Sequence, residues 1–241
     1  MLQKSSMDVL EAIFTRRSVR KYLIKAVEWD KIGYVVRAGQ MAPSSGNLQN
    51  YKFILVTMPE LRKEIATACL QQMWMVDAPV HIVICGQEQK AVPFYGVRGE
   101  RLYTIQNTAA SAMNMILMAN AQGLGSCWVG AFDEDMLKSS LGITDGRPHI
   151  VLTIGYADPS EIIEMPVRYR IENITYLNKW KRRWLDLDRI IWSWNIIGKA
   201  MKKSKAIAGK LGAKAREMSE SITKKLEEEE AKEREKRGGQ N

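Results

Sequence analysis

Cysteine and histidine are scarce in this 241-residue chain, and each shortage removes a class of chemistry. Cys69, Cys85 and Cys127 lie far apart without CxxC spacing, which argues against a disulfide framework or a zinc site and fits a reducing compartment. The two histidines, His81 and His149, each sit inside an apolar run, so neither a His-based metal centre nor a Ser-His-Asp triad is expected. No stretch approaches the roughly 18 uninterrupted apolar residues of a membrane span. The first residues, 1–14, lack the apolar core of a secretory leader, so a cytoplasmic location is expected.

Negative charge is missing from one part of the chain only. Residues 179–225 carry 14 Lys/Arg against 4 Asp/Glu, and residues 226–241 carry 4 against 6. Of the total net charge of +9, only +1 is left for residues 1–178. Two parts are therefore expected: a nearly neutral domain with an arm, 1–178, and a basic helical tail, 179–241. The tail holds four of the seven tryptophans, Trp180, Trp184, Trp192 and Trp194. Leu187, Trp194, Met201, Ala208, Ala215 and Ile222 recur at heptad spacing. Such a stripe fits a helix packed on its own protein, a coiled coil, an anionic membrane surface or nucleic acid. The clustered tryptophans favour an inner-membrane surface over nucleic acid, and the Ala positions disfavour a strong coiled coil.

Periodicity predicts helices over 7–15, 28–41, 59–75, 100–122 and 133–141, and strands over 52–56, 80–85, 126–132 and 150–156. Segment 86–99 reads as a lid loop, with Tyr95, Arg98, Arg101 and Tyr103 in or beside it. The helix over 100–122 is apolar nearly all round, which calls for burial, and a subunit interface is a natural place for that. Strands alternating with helices in no strict βαβ rhythm indicate an α+β or mixed α/β domain. Residues 157–178 hold too few apolar side chains for a core of their own and read as an arm.

Three short segments carry chemistry. Arg16-Arg17-Ser18-Val19-Arg20 offers guanidinium forks and a hydroxyl suited to a phosphate, but alone reads more readily as a solvated basic helix end. Pro43-Ser44-Ser45-Gly46-Asn47 reads alone as a polar turn. Gly123-Leu124-Gly125-Ser126-Cys127-Trp128-Val129-Gly130-Ala131 would let a flat ring approach the backbone, or would simply end a helix and begin a core strand.

Taken together and in this order, the three segments resemble the nitroreductase family over about residues 7–177. The resemblance implies an α+β fold, a mixed or antiparallel sheet flanked by helices, and a homodimer whose C-terminal arms exchange. It implies bound FMN, with hydride passing from NAD(P)H through the flavin to a small aromatic acceptor, nitroaromatic or quinone. Other flavin reactions on the same fold are flavin reduction, reductive dehalogenation and metabolite dehydrogenation, and a flavin-binding scaffold acting through its tail is a further alternative. By position, Arg16, Arg17, Ser18 and Arg20 would contact the flavin phosphate and pyrimidine edge. Pro43, Ser44, Ser45 and Asn47 would come from the other subunit. Gln71 would face the pyrimidine, Val129, Gly130 and Ala131 would line the ring, and Arg168 with Arg170 would close the site from the arm. No catalytic acid or metal ligand is implied. Asn50-Tyr51 stands where the family usually has Pro-Trp, Trp74 where some members have Lys, and Asn107 where Asp is frequent; the first two departures leave the acceptor open.

Overall fold

The computed structural model describes residues 7–161 and 163–182. The chain divides into two compact units, Met1–Val167 and Arg168–Asn241. The heptad and the rest of the basic tail beyond Arg182 lie outside the described residues.

The first unit is α+β. Seven residues of helix, α1 (Val9–Thr15), begin at Asp8, whose carboxylate accepts the Glu11 N–H at 2.7 Å. Helix α2 (Trp29–Gln40) leads through a turn to strand β1 (Tyr51–Val56). Helix α3 (Pro59–Ala68) opens on proline and strand β2 (Val80–Gly86) follows. Helices α4 (Val92–Arg98) and α5 (Thr104–Ala121), strand β3 (Gly125–Val129), helix α6 (Glu134–Leu141) and strand β4 (Arg147–Gly155) complete it.

The strands form one antiparallel sheet in the order β1-β2-β4-β3, with a register shift between Ile84 and Cys85. Every residue of β2 is buried, as its continuous apolar run requires. Alternation divides the strand between two cores. Ile82 and Ile84 pack with Ile32, Val35, Met115 and Leu152, while Val83 and Cys85 pack with Ile65, Met75 and Leu137. Helices α2 and α5 thus cover one face, and α3 and α6 the other. At the α2–α5 contact a Cβ on Gly39 would overlap Met115 and Ser111, so glycine is required there.

Two expectations are corrected. Helix α3 ends at Ala68, not near residue 75, because Leu70 and Gln71 take left-handed backbone and Met73–Asp77 continues as a 3-10 turn. No glycine marks this stop; the buried Cys69 and Met75 on either side hold the reversal. Segment 86–99 is largely helical: Glu88–Lys90 is a 3-10 turn, α4 kinks at Gly96, and a π-turn over Gly99–Tyr103 runs into α5. Within the single chain helix α5 is buried on one side, which leaves the expected subunit interface untested. Thr104, Thr108, Ala112, Met115 and Ala119 are covered, but Ile105 and Met113 are exposed.

Residues 157–160 are pinned to their own chain. Asp158 N–H donates to the Lys21 carbonyl at 3.0 Å, and Lys21 Nζ reaches Asp158 at 3.1 Å and Ser160 Oγ at 2.8 Å. In the second unit the short helix α7 (Ile171–Ile174) precedes an edge-on contact between Tyr176 and Trp180. Among the described residues no helix is long and apolar enough to cross a membrane.

Candidate functional site

The basic segment is positioned by both ends of its neighbours. Asn120 on α5 donates to the Ala12 carbonyl at 3.0 Å and to Thr15 Oγ1 at 2.8 Å, fixing α1. The chain then turns extended at Arg16 and runs onto the β3 edge, where Ser18 bridges Ser126 in parallel and Val19 N–H donates to the Ser126 carbonyl at 2.9 Å. Val19 faces inward, against Gly125, so Ser18 and Arg20 face the other way. Tyr22 clamps the segment: its buried hydroxyl lies 2.8 Å from the Val19 carbonyl and 2.7 Å from Thr153 Oγ1, and burial raises its pKa.

The three arginines have different fates. Arg17 Nη1 donates to the Phe14 and Arg16 carbonyls, both at 2.8 Å, and so caps the end of α1. Arg20 lies over the Trp74 ring, 5.9 Å from its centroid. Among the described residues neither Arg16 nor Arg20 is paired with a carboxylate. Burial raises the Cys127 thiol pKa, and Arg20, Ser18 and Arg16 act in the opposite direction. The basic segment, the middle of β3 and Trp74 therefore converge on one edge of the sheet.

Trp74 sits on the 3-10 turn, which His81 and Arg62 hold in place. His81 Nε2 lies 2.8 Å from the Met75 carbonyl, and Arg62 Nη1 donates to Val76 and Ala78 at 2.8 and 2.7 Å. Burial pushes the His81 pKa down from 6.5 to about 4. Its folded pKa lies below the unfolded one, so the unfolded chain binds the extra proton between those values and stability falls as pH falls through that window. Urea unfolding should show wild type about 2 kcal/mol less stable near pH 5 than near pH 7 on this account. His81→Gln should lack that component; an equal acid loss in the variant would rule it out.

Beyond Cys127, Trp128 is partly exposed, Val129 is buried, and Gly130 and Ala131 are exposed. Asp133 then caps α6, accepting from Met136 N–H at 2.9 Å. A Cβ on Gly130 would meet nothing nearer than the Trp128 ring at 3.5 Å, so packing within the chain does not demand glycine. Gln71 is exposed in its left-handed turn three residues before Trp74.

The serine segment is elsewhere. Ser45–Asn47 forms a 3-10 turn with Gly46 and Asn47 in left-handed backbone, and Pro43 and Asn47 are exposed. Ser45 donates its N–H and hydroxyl to Asn107 Oδ1 at 2.9 and 3.1 Å, whereas Ser44 Oγ accepts from Gln49 N–H at 3.0 Å. A Cβ on Gly46 would overlap the Tyr95 hydroxyl, which ties this turn to α4. Asn107 and Asn120 anchor the two segments from opposite ends of α5, roughly 20 Å apart at 1.5 Å per residue. One chain does not bring them together. Arg168 and Arg170, in the second unit, are exposed, with Arg170 Nε 3.7 Å from Glu172.

The model of the nitroreductase family matches residues 13–77 and 70–156. The chain belongs to the nitroreductase family. A protein of Archaeoglobus fulgidus, named provisionally as an NADH dehydrogenase/NAD(P)H nitroreductase, is 28% identical over 179 residues, 72% of this chain and 99% of that protein. The FMN reductase (NADPH) of Bacillus subtilis is 25% identical over 142 residues, covering 54% of this chain and 57% of that one. The crystal structure of a nitroreductase family protein from Clostridium difficile 630 superposes with a TM-score of 0.63 at 27% identity, covering 72% of this chain and all (100%) of that one. Within this nitroreductase fold, neither the Arg20–Trp74 contact nor the buried Asn50–Asn107 pair is announced by a local sequence pattern.

Proposed function

We propose that this chain is an FMN-dependent oxidoreductase that uses NAD(P)H to reduce a small aromatic acceptor, nitroaromatic or quinone, as a homodimer with two composite sites. One observation carries the reading: two guanidinium groups without carboxylate partners among the described residues and a hydroxyl lie on a sheet edge whose strand ends in exposed Gly130 and Ala131 beside a flat indole. Arg16, Ser18 and Arg20 suit a terminal phosphate and an electron-rich ring edge. Exposed backbone over Val129–Ala131 can offer N–H donors to a flat ring. FMN, when bound there, would supply the hydride transfer between nicotinamide and acceptor. Arg20 would supply positive charge to a ring edge that becomes negative on reduction. Arg17 supports the site by holding the helix end, Gln71 borders it, and Arg168 and Arg170 would close it from the arm.

The second half of each site, Pro43, Ser44, Ser45 and Asn47, is assigned to the partner subunit because α5 separates it from the basic segment within one chain. An exposed apolar face supports pairing. Val9, Ile13 and Met41 are exposed beside a groove of about 510 Å³ between α1, α2 and α5, lined by Tyr34, Leu117 and Met118 among others. We assign residues 1–178 to the flavin-binding domain with its arm and 179–241 to the basic tail, in a cytoplasmic protein whose tail meets an anionic membrane surface.

Mixed dimers test the composite site. Arg16→Gln/Arg20→Gln and Ser44→Ala/Asn47→Ala chains, each nearly devoid of FMN alone, should regain roughly a quarter of wild-type FMN when co-expressed, because half of random dimers are mixed and each has one intact site. No recovery in isolated mixed dimers would mean that each subunit holds a complete site.

A further inference from the structure

Asn50 and Asn107 are 0% and 3% exposed, and their amides are locked by the directions of their bonds. Asn107 Nδ2 donates to Asn50 Oδ1 at 2.8 Å, leaving Asn107 Oδ1 for both donors of Ser45. Asn50 Nδ2 donates to the Gln87 carbonyl at 3.1 Å and to Thr104 Oγ1 at 2.8 Å, and the Thr104 hydroxyl donates to the Gly99 carbonyl at 2.7 Å. The Asn50 carbonyl also accepts from the Gln87 N–H at 2.7 Å. Turning either amide over would set an oxygen against a carbonyl. The chain of bonds runs from the Pro43–Asn47 turn to Gln87 and to Gly99, at the two ends of the segment that carries α4.

We propose that Asn50 and Asn107 are an uncharged positioning pair that sets the Pro43–Asn47 turn for the flavin, with Ser45 as its anchor and Ser44 and Asn47 left to face the ligand. The proposal rests on the FMN reading. It follows from donor counting. Ser45 spends its N–H and O–H on Asn107, whereas Ser44 Oγ only accepts inside the turn and keeps its proton for a ligand. A carboxylate at 107 could accept from Ser45 but could not donate to Asn50 Oδ1. Two oxygens would then face each other in a buried site with no proton between them.

Asn107→Asp should therefore work only while that carboxyl keeps its proton. Burial and the facing carbonyl raise its pKa, so the competent form is present at low pH and lost as pH rises through the raised value. The titratable groups next to the network are Glu88 beside Gln87, Asp145 accepting from Gln87 Nε2 at 3.0 Å, His149 on Thr108 at 2.9 Å, and Tyr95 over Gly46. They are shared with wild type, whose profile is the control.

The test titrates flavin-free protein with FMN near pH 6 and pH 8 and follows amide hydrogen exchange of residues 45–47 without flavin. Asn107→Asp should bind FMN about tenfold more weakly than wild type near pH 8 and recover towards it near pH 6, as expected when one buried hydrogen bond is lost. Asn107→Ala should be weaker at both values, with faster exchange of residues 45–47. An Asn107→Asp affinity equal to wild type, or flat across that range, overturns the proposal. If Asn107→Asp does not fold, Asn107→Ala decides: unchanged exchange and affinity overturn it. Wild type that takes up no FMN would refute the flavin reading, while the exchange comparison would still judge the pair.

Discussion

Arg20→Gln is expected to bind FMN roughly 10–100-fold more weakly than wild type, the consequence of losing a charge-assisted hydrogen bond of about 1.5–3 kcal/mol. Arg20 stands on a segment that alternates inward and outward, with Val19 buried and Arg20 exposed above Trp74. Nothing in the described structure holds its charge except the indole face, so its loss should fall on the ligand and not on the fold. If Arg20 also stabilises the charge that develops on reduction, the variant should show a lower flavin midpoint potential. Arg20→Lys should keep part of the potential and lose part of the affinity, because an ammonium cannot replace a planar fork. Arg17→Gln gives the contrast. Its guanidinium caps α1 through the Phe14 and Arg16 carbonyls, so thermal stability should fall while flavin potential stays near wild type. Spectroelectrochemistry showing an unchanged potential in Arg20→Gln would remove Arg20 from this role.

The sheet was legible where one strong signal acted alone. Val80–Cys85 reads as a fully buried strand because every residue is apolar or shielded, and β2 is buried on both faces. Helix α5 was legible as an element but not in its surroundings. Periodicity cannot tell that Asn107, Thr108 and Ser111 are buried polar groups with partners while Ile105 and Met113 are exposed. The stop of α3 was illegible because two ordinary residues, Leu70 and Gln71, adopt left-handed backbone under tertiary constraint. The helical content of 86–103 was hidden by its glycines and Pro93, which mark turns locally and were accommodated by a kink and a π-turn.

The candidate site divides in the same way. Arg16–Arg20 and Val129–Ala131 stand out through local composition, and the fold brings the basic segment onto the strand that ends there. Which arginine caps a helix depends on where the last carbonyls of α1 point, and no sequence pattern states that. The Asn50–Asn107 bond joins residues 57 positions apart, a pairing set by how α5 crosses the end of β1. The roughly 20 Å between the two anchors on α5 likewise emerges only once that helix is seen to carry both segments.

The central claim is a hydride relay through a bound flavin, and the most direct measurement is an anaerobic titration of the purified full-length protein with NADH and NADPH. The account predicts a yellow protein holding about one FMN per chain, as a concave interface site implies. The flavin absorbance should bleach completely on adding one equivalent of at least one of the two nicotinamides. A quinone or nitroaromatic added afterwards should restore the colour, and steady-state rates should follow a ping-pong pattern because both substrates use one open face. Exposed backbone at Gly130 and Ala131 and the partly exposed Trp128 leave that face accessible within one chain. Protein that stays colourless with added FMN, or that holds FMN which neither nicotinamide reduces, would contradict the account.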